Sequence, residues 1–225
     1  MDIQRLIDTF FNLTIAAQYW PDIARGMQVT IVLSAAVVAS GLILGLILAL
    51  LRSCERPWLS LPIVLFADVM RSLPPLVVII MLFFAFPYVG LAMSAFTATW
   101  LSLTLILAAY AEESLWSGIS SVAPGQHEAA RSSGFSWAQT MSWVILPQAW
   151  RIALPGLTNR VIAIAKNTAL GSVVAVSEII NNAQSASSNT GNPTPLVLGA
   201  LAYLAIFIPL VLFSRWLESR LAWKR

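Results

Sequence analysis

This chain has little charge. Asp, Glu, Lys and Arg make up 10% of its 225 residues, whereas a soluble globular domain carries about 25%. Hydrophobic residues make up 58%, more than a soluble domain of this length can bury. The composition excludes a soluble protein and points to an integral membrane protein. Cysteine and histidine are scarcer still, with one of each. Cys54 can form no internal disulfide and leaves the redox compartment open. His127 has no second histidine and no cysteine nearby, so it cannot build a usual metal site and reads as a surface residue. The same scarcity argues against a membrane enzyme, which needs a clustered nucleophile and base or a set of metal ligands. No Gly-Lys dipeptide occurs, so there is no GxxxxGK phosphate loop. The first residues carry Asp2, Arg5 and Asp8 with no apolar run behind a basic start. They do not read as a cleavable signal peptide, and the first long apolar segment is expected to target and anchor the chain.

Long apolar runs are what the sequence does have. A helix crossing hydrocarbon takes about 20 apolar residues. Nothing between Arg25 and Arg52 is charged, which predicts the first span. The second runs from about Leu59 to Phe86, interrupted only by Asp68 and Arg71, and closes on the turn signal FPYVG at 86–90. The third covers about Met93 to Leu115. The fourth covers about Ile152 to Val176, with Arg160 and Lys166 inside it, and the fifth about Leu196 to Trp216. The stretch NNAQSASSNTGNPTP, 181–195, reads as an uncharged loop of turn formers. The expected fold is an all-α membrane protein of about five transmembrane helices, one domain over 1–225. Gly41 and Gly45 form a GxxxG that would let two helices approach closely, but small residues are common in any membrane helix, and that plainer reading is preferred.

Five spans put the two ends on opposite sides of the bilayer. Arg52, Arg56, Arg131, Arg151, Arg215, Arg220, Lys224 and Arg225 fall on one side, Arg5 and Arg25 on the other. Lys and Arg gather in cytoplasmic loops, so the first group faces the cytoplasm. Residues 1–25 then form an external N-terminal segment and 217–225 a cytoplasmic basic tail.

A polar insert at 122–147 interrupts the oily chain on the cytoplasmic side. Pro124-Gly125 is a turn, and the residues from Glu128 to Arg131 favour a helix with an acid near its N-terminus. Gly134 breaks that helix. Ser136 is a candidate N-cap, with Gln139 three residues on to complete a capping box. Leu146-Pro147-Gln148 is expected to end this second short helix. Phe135, Trp137 and Trp143 supply aromatic anchors of the kind that interfaces favour.

The spacing Glu128-Ala129-Ala130, Gly134, then Val144-x-Leu146-Pro147 resembles the EAA loop of permease subunits of ABC importers, with Val144 where Ile is usual. The stretches MRSLPPLVV, AAYAEESLWSGI, GQHEAARSSGFS, ILPQAWRIALPGLTN and KNTALGSVVAVSE are similar to the polar amino acid subfamily. The resemblance implies a type I ABC importer permease fold whose insert is a coupling helix, with Glu128, Ala129, Ala130, Gly134, Leu146 and Pro147 coupling to an ATPase. It also implies three partners: a cytoplasmic ATP-binding subunit, a second permease subunit, and a periplasmic or extracellular solute-binding protein. This chain would hold no cofactor; ATP and Mg would belong to the ATPase. The location implied is a bacterial inner membrane, N-terminus outside and C-terminus inside, with the bilayer as surroundings and no nucleic acid as partner. Members of the family often have Leu, Gln and Arg where Pro75, Val78 and Trp116 stand, and Asp and Ser at Asn167 and Ala169. Several of these departures lie near substrate positions, so the resemblance does not fix the solute. Those at Val78 and Trp116 favour a heterodimer over a homodimer of permeases.

Four charges fall inside predicted spans. Each would cost about 2.5–3.5 kcal/mol at a helix centre if uncompensated. Counting along straight helices puts Arg71 and Lys166 about 18 and 21 Å from the cytoplasmic ends. Asp68, Arg71, Lys166, Asn167 and Thr168 are therefore candidates for a substrate pathway, with the two cations suited to a carboxylate. Asp68 and Arg71, three residues apart, can equally be a structural pair. Glu112 and Glu113 fit a cytoplasmic gate or interface better than acid–base chemistry. The functional expectation is an ATP-driven importer permease for amino acids or related polar solutes. The alternative is a self-sufficient secondary transporter or channel, which would call for matched inverted halves that are not visible here.

Overall fold

A computed structural model describes residues 3–54 and 56–221 of the chain. Lys224 and Arg225 of the expected basic tail lie outside the described residues. Every regular element among the described residues is helical: α1 (Ile3–Phe10), α2 (Leu13–Arg52), α3 (Pro57–Ser72), α4 (Pro75–Ile80), α5 (Ala95–Ser120), α6 (Pro124–Ser132), α7 (Trp137–Thr140), α8 (Leu146–Lys166), α9 (Ile179–Thr190) and α10 (Thr194–Leu221). Turns of π-helix at Met81–Ala85 and Met141–Ile145, and of 3₁₀-helix at Phe86–Val89 and Asn167–Val174, extend α4, α7 and α8. Three helices are long and apolar enough to cross a membrane, and up to five spans result if each of two bent helix pairs is one span. The expected first, third and fifth spans correspond to α2, α5 and α10.

The sequence explains these helices by spacing. In α2 the buried positions are Ile23, Gly26, Thr30, Leu33, Val37, Gly41, Gly45 and Ala49, a stripe at intervals of three and four residues. α2 begins earlier than the apolar run alone implies, at Leu13, so the second half of the expected external segment is helical.

Three expectations are corrected. The second span is not one helix. α3 ends at Ser72, Leu73 is extended at φ −87°, ψ 133°, and α4 starts at Pro75. Pro74 bars its predecessor from helical geometry, and Pro75 suits the first position of a new helix. The segment 181–195 is not a loop, because α9 occupies Ile179–Thr190 and only Gly191–Pro193 separates it from α10. Leu146-Pro147-Gln148 does not stop the chain. The π turn Met141–Ile145 leads straight into α8, and the Gln148 side-chain amide donates to the carbonyl of Val144 at 2.8 Å. Such π turns mark places where a helical ladder absorbs a misfit.

By contacts the chain divides into two units. The first comprises 1–37, 75–103 and 164–211. Its core joins Ile23, Ile179, Ala183 and Ala202, with Met27, Leu198, Tyr203 and Ile206 packed around them. Glu178 caps α9 by accepting from the backbone N–H groups of Ile180 and Asn181 at 3.0 and 2.7 Å, and it also accepts from the Tyr203 hydroxyl. The Ile179 N–H donates to Thr30 at 3.4 Å, so α2, α9 and α10 meet at one polar point.

The second unit comprises 38–74, 104–163 and 212–225. α5 runs through its centre. A side chain on Gly45 would lie 2.5 Å from the Ala111 Cβ, and one on Gly41 2.8 Å from Leu107. The GxxxG is thus a place where α2 and α5 of this chain approach closely. Ala49, Ala111, Leu115, Ala153 and Leu157 continue that core toward α8.

Candidate functional site

The insert lies wholly in the second unit. Pro124 opens α6, and the helix ends in paired backbone bonds: Gly134 N–H to Arg131 carbonyl at 3.0 Å and Phe135 N–H to Ala130 carbonyl at 3.2 Å. This is a Schellman stop, and it places Gly134 at φ +86°, a conformation that side chains resist. The Arg131 guanidinium donates to the Phe135 carbonyl at 2.8 Å and ties the corner further. Ser136 then caps α7. Its hydroxyl accepts from the Gln139 N–H at 3.3 Å, while the Gln139 side chain accepts from the Ser136 N–H at 2.8 Å, forming the capping box expected from the sequence.

Beneath the corner, Val122, Met141, Ile145 and Ala149 form a buried cluster with Leu50 and Ile119, which roots the insert on the ends of α2 and α5. Of the coupling residues, Glu128, Ala129, Gly134 and Pro147 are exposed, Leu146 is half-buried and Ala130 is buried. The insert is therefore a braced corner with a short open face, and Trp143 is 75% exposed beside it.

The intramembrane candidates separate. Asp68 and Arg71 belong to the second unit and Lys166, Asn167 and Thr168 to the first. The Arg71 guanidinium lies 2.6 Å from Asp68 and 3.6 Å from Glu113. Glu113 in turn lies 3.5 Å from Arg52, which lies 3.0 Å from Glu112. Asp68 and Arg71 are paired on one helix face. The pairing of Glu112 and Glu113 with Arg52 and Arg71 was not foreseen, because it joins helices far apart in sequence.

Lys166 ends α8 exposed, with no ion pair among the described residues. Asn167 is half-buried. Thr168 is buried and donates to the Ala165 carbonyl at 2.8 Å, so its hydroxyl serves the 3₁₀ turn. Arg160, the fourth charge inside a predicted span, has its guanidinium 4.4 Å from the centre of the Tyr110 ring.

A braced corner of this kind, rooted on the ends of α2 and α5, fits the coupling insert that the sequence resemblance implies. Residues 41–223 match the family described as the inner membrane component of binding-protein-dependent transport systems. The chain belongs to that family. It is 37% identical over 213 residues to the probable amino-acid ABC transporter permease protein YckA of Bacillus subtilis (strain 168), covering 94% of each chain. It is 35% identical over 199 residues to the probable glutamine ABC transporter permease protein GlnP of the same organism, covering 87% of this chain and 91% of that one. Its fold is similar to that in the crystal structure of an amino acid ABC transporter with histidines, with TM-score 0.81 and 30% identity over 91% of this chain and 96% of the other. The protein is a multi-pass membrane permease of the ABC importer type.

Proposed function

We propose that this permease carries an amino acid or a closely related small polar solute, delivered by an external binding protein, and that the insert at 122–147 transmits the work of a separate cytoplasmic ATPase. The observation that carries the coupling role is the braced corner, whose open face presents Glu128, Ala129 and Pro147 while its back is fixed to α2 and α5. A rigid knob on rigid helices can pass on a displacement, whereas a floppy loop would absorb it. The amino acid substrate is supported by the relatives' substrates. Within the first unit, Lys166 is the pathway residue best suited to a solute carboxylate, because its ammonium is exposed inside a predicted span and has no ion pair among the described residues. Asn167, half-buried, follows it in the chain, and the Thr168 hydroxyl is held by the Ala165 carbonyl. Asp68 and Arg71 serve the pathway only through the ionic cluster they form with Glu113.

ATP and Mg act in the ATPase, which the chain cannot replace because it lacks a GxxxxGK loop. A second permease subunit completes the pathway, and the residues at Val78 and Trp116 favour a heterodimer. The N-terminus lies outside and the C-terminus in the cytoplasm. Arg5 and Arg25 are the cations of the segments read as external, while Arg52, Arg56, Arg131, Arg151, Arg215 and Arg220 fall in those read as cytoplasmic.

The test is uptake by the complete transporter in vesicles. Glu128→Lys and Gly134→Asp are each expected to abolish uptake and its coupling to ATP hydrolysis while the permease still inserts. Unimpaired uptake in both variants would remove the insert from the coupling role.

A further inference from the structure

A set of contacts next to the insert centres on Arg52. Arg52 is the last residue of α2, and its side chain is 17% exposed. On one side its guanidinium meets Glu112 at 3.0 Å and Glu113 at 3.5 Å. Its carbon also lies 4.6 Å from the centre of the Trp116 ring, one turn along α5 from Glu112. The Glu112 side chain is fully buried, and its second carboxylate oxygen has no hydrogen-bond partner. Arg52 is thus the group that keeps Glu112 compensated, and it cannot swing away without leaving a buried carboxylate alone.

Trp116 is also one wall of a hollow of about 560 Å³. The same hollow is lined by Cys54 and, from the insert, by His127, Glu128 and Trp137. The coupling corner is packed on the ends of α2 and α5, and it also borders this hollow together with Trp116. A tryptophan free to turn would fold into that space and take up the motion. Here it is held by a cation that is itself held by a buried acid.

We propose that Arg52 is a positioning residue of the coupling apparatus: by clamping Trp116 against the hollow, it lets displacement of the insert reach α2 and α5. The proposal rests on the permease reading and names the internal contact that transmits it.

The experiment uses the complete transporter with its ATPase and binding protein in proteoliposomes, and reads ATP hydrolysed per solute moved. Trp116→Leu and Arg52→Lys, which keeps the charge but not the planar face, are each expected to raise that ratio about three- to tenfold, the scale of one desolvated cation–π contact. Basal ATP hydrolysis and the KM for loaded binding protein are expected to stay within about twofold. Arg52→Lys combined with Trp116→Leu is expected to be no worse than either alone, because both remove one contact. Arg52→Gln alone leaves the buried Glu112 carboxylate unpaired, so Arg52→Gln with Glu112→Gln removes both charges together and is expected to show the same raised ratio. A wild-type ratio in that neutral pair, or additive effects in the Arg52–Trp116 double variant, would overturn the proposal and leave Arg52 a counter-ion alone. Wild-type uptake that needs no ATP would instead overturn the permease reading itself.

Discussion

Two polar stretches interrupt this oily chain, and they are built in opposite ways. The insert at 122–147 is charged, turns a corner at Gly134, and leaves Glu128, Ala129 and Trp143 open. The stretch that forms α9 carries no charge after Glu178, yet it is stitched inward: Ile179, Ala183 and Ala186 are buried, and Glu178, Tyr203 and Thr30 tie its start to α10 and α2. The polar residues of the insert face outward on a local frame of caps. Those of α9 coat one side of a helix whose other side belongs to the core. Polarity alone does not distinguish a segment that meets a partner from one that completes the fold.

Substitutions can sharpen that contrast. The largest effect is expected at Glu178→Ala, which removes the cap of α9 and strands the Tyr203 hydroxyl. A lost cap and a lost buried partner together amount to about 3 kcal/mol, to be seen as a lower unfolding temperature of the purified transporter in detergent. An unchanged unfolding temperature would mean that α9 is as peripheral as its composition suggests. Ser136→Ala breaks the capping box of the insert, and about 1 kcal/mol of local stability should be lost. Here the expected signature is local: faster backbone amide exchange in α7, weaker uptake and little change in global unfolding. Equal protection of α7 in variant and wild type would show that the box is not what braces the corner. The smallest effect is expected at Gln184→Ala, exposed on α9, within about 0.5 kcal/mol and with uptake intact. A marked loss of uptake there would give the outer face of α9 a role that the comparison denies it.

The same contrast shows what the sequence could tell. Most of the insert was readable because its signals are local: Gly134 ends α6 at positive φ, and Ser136 and Gln139 lie at capping-box spacing. Pro124-Gly125, read as a turn, instead forms the first residues of α6, which has no acid in its first turn, because proline suits the start of a helix. The long apolar runs of α2, α5 and α10 were readable from hydropathy. α9 was misread as a loop because Asn and Ser are weak helix formers, although the spacing of Ile179, Ala183 and Ala186 carried a helical signal beneath that composition. The helix break at Leu73 was written in the paired prolines but outweighed by the unbroken hydropathy. The join of α7 to α8 through Pro147 rests on a π turn, which leaves no sequence pattern of its own. The Asp68–Arg71 pair was legible at i, i+3, but the pairing of Arg52 and Arg71 with Glu112 and Glu113 was not, since it depends on how α2, α3 and α5 come together.

The central claim is that the insert, and not the other polar stretch, meets the ATPase. The chain has one cysteine, so a Cys54→Ser background leaves no thiol. Into it, single cysteines are placed at the exposed positions Ala129 in α6 and Ser188 in α9, and each is treated with a short thiol-reactive cross-linker in the assembled transporter. The account predicts a cross-link from position 129 to the ATP-binding subunit and none from position 188. A cross-link to that subunit from position 188, with position 129 silent, would contradict it.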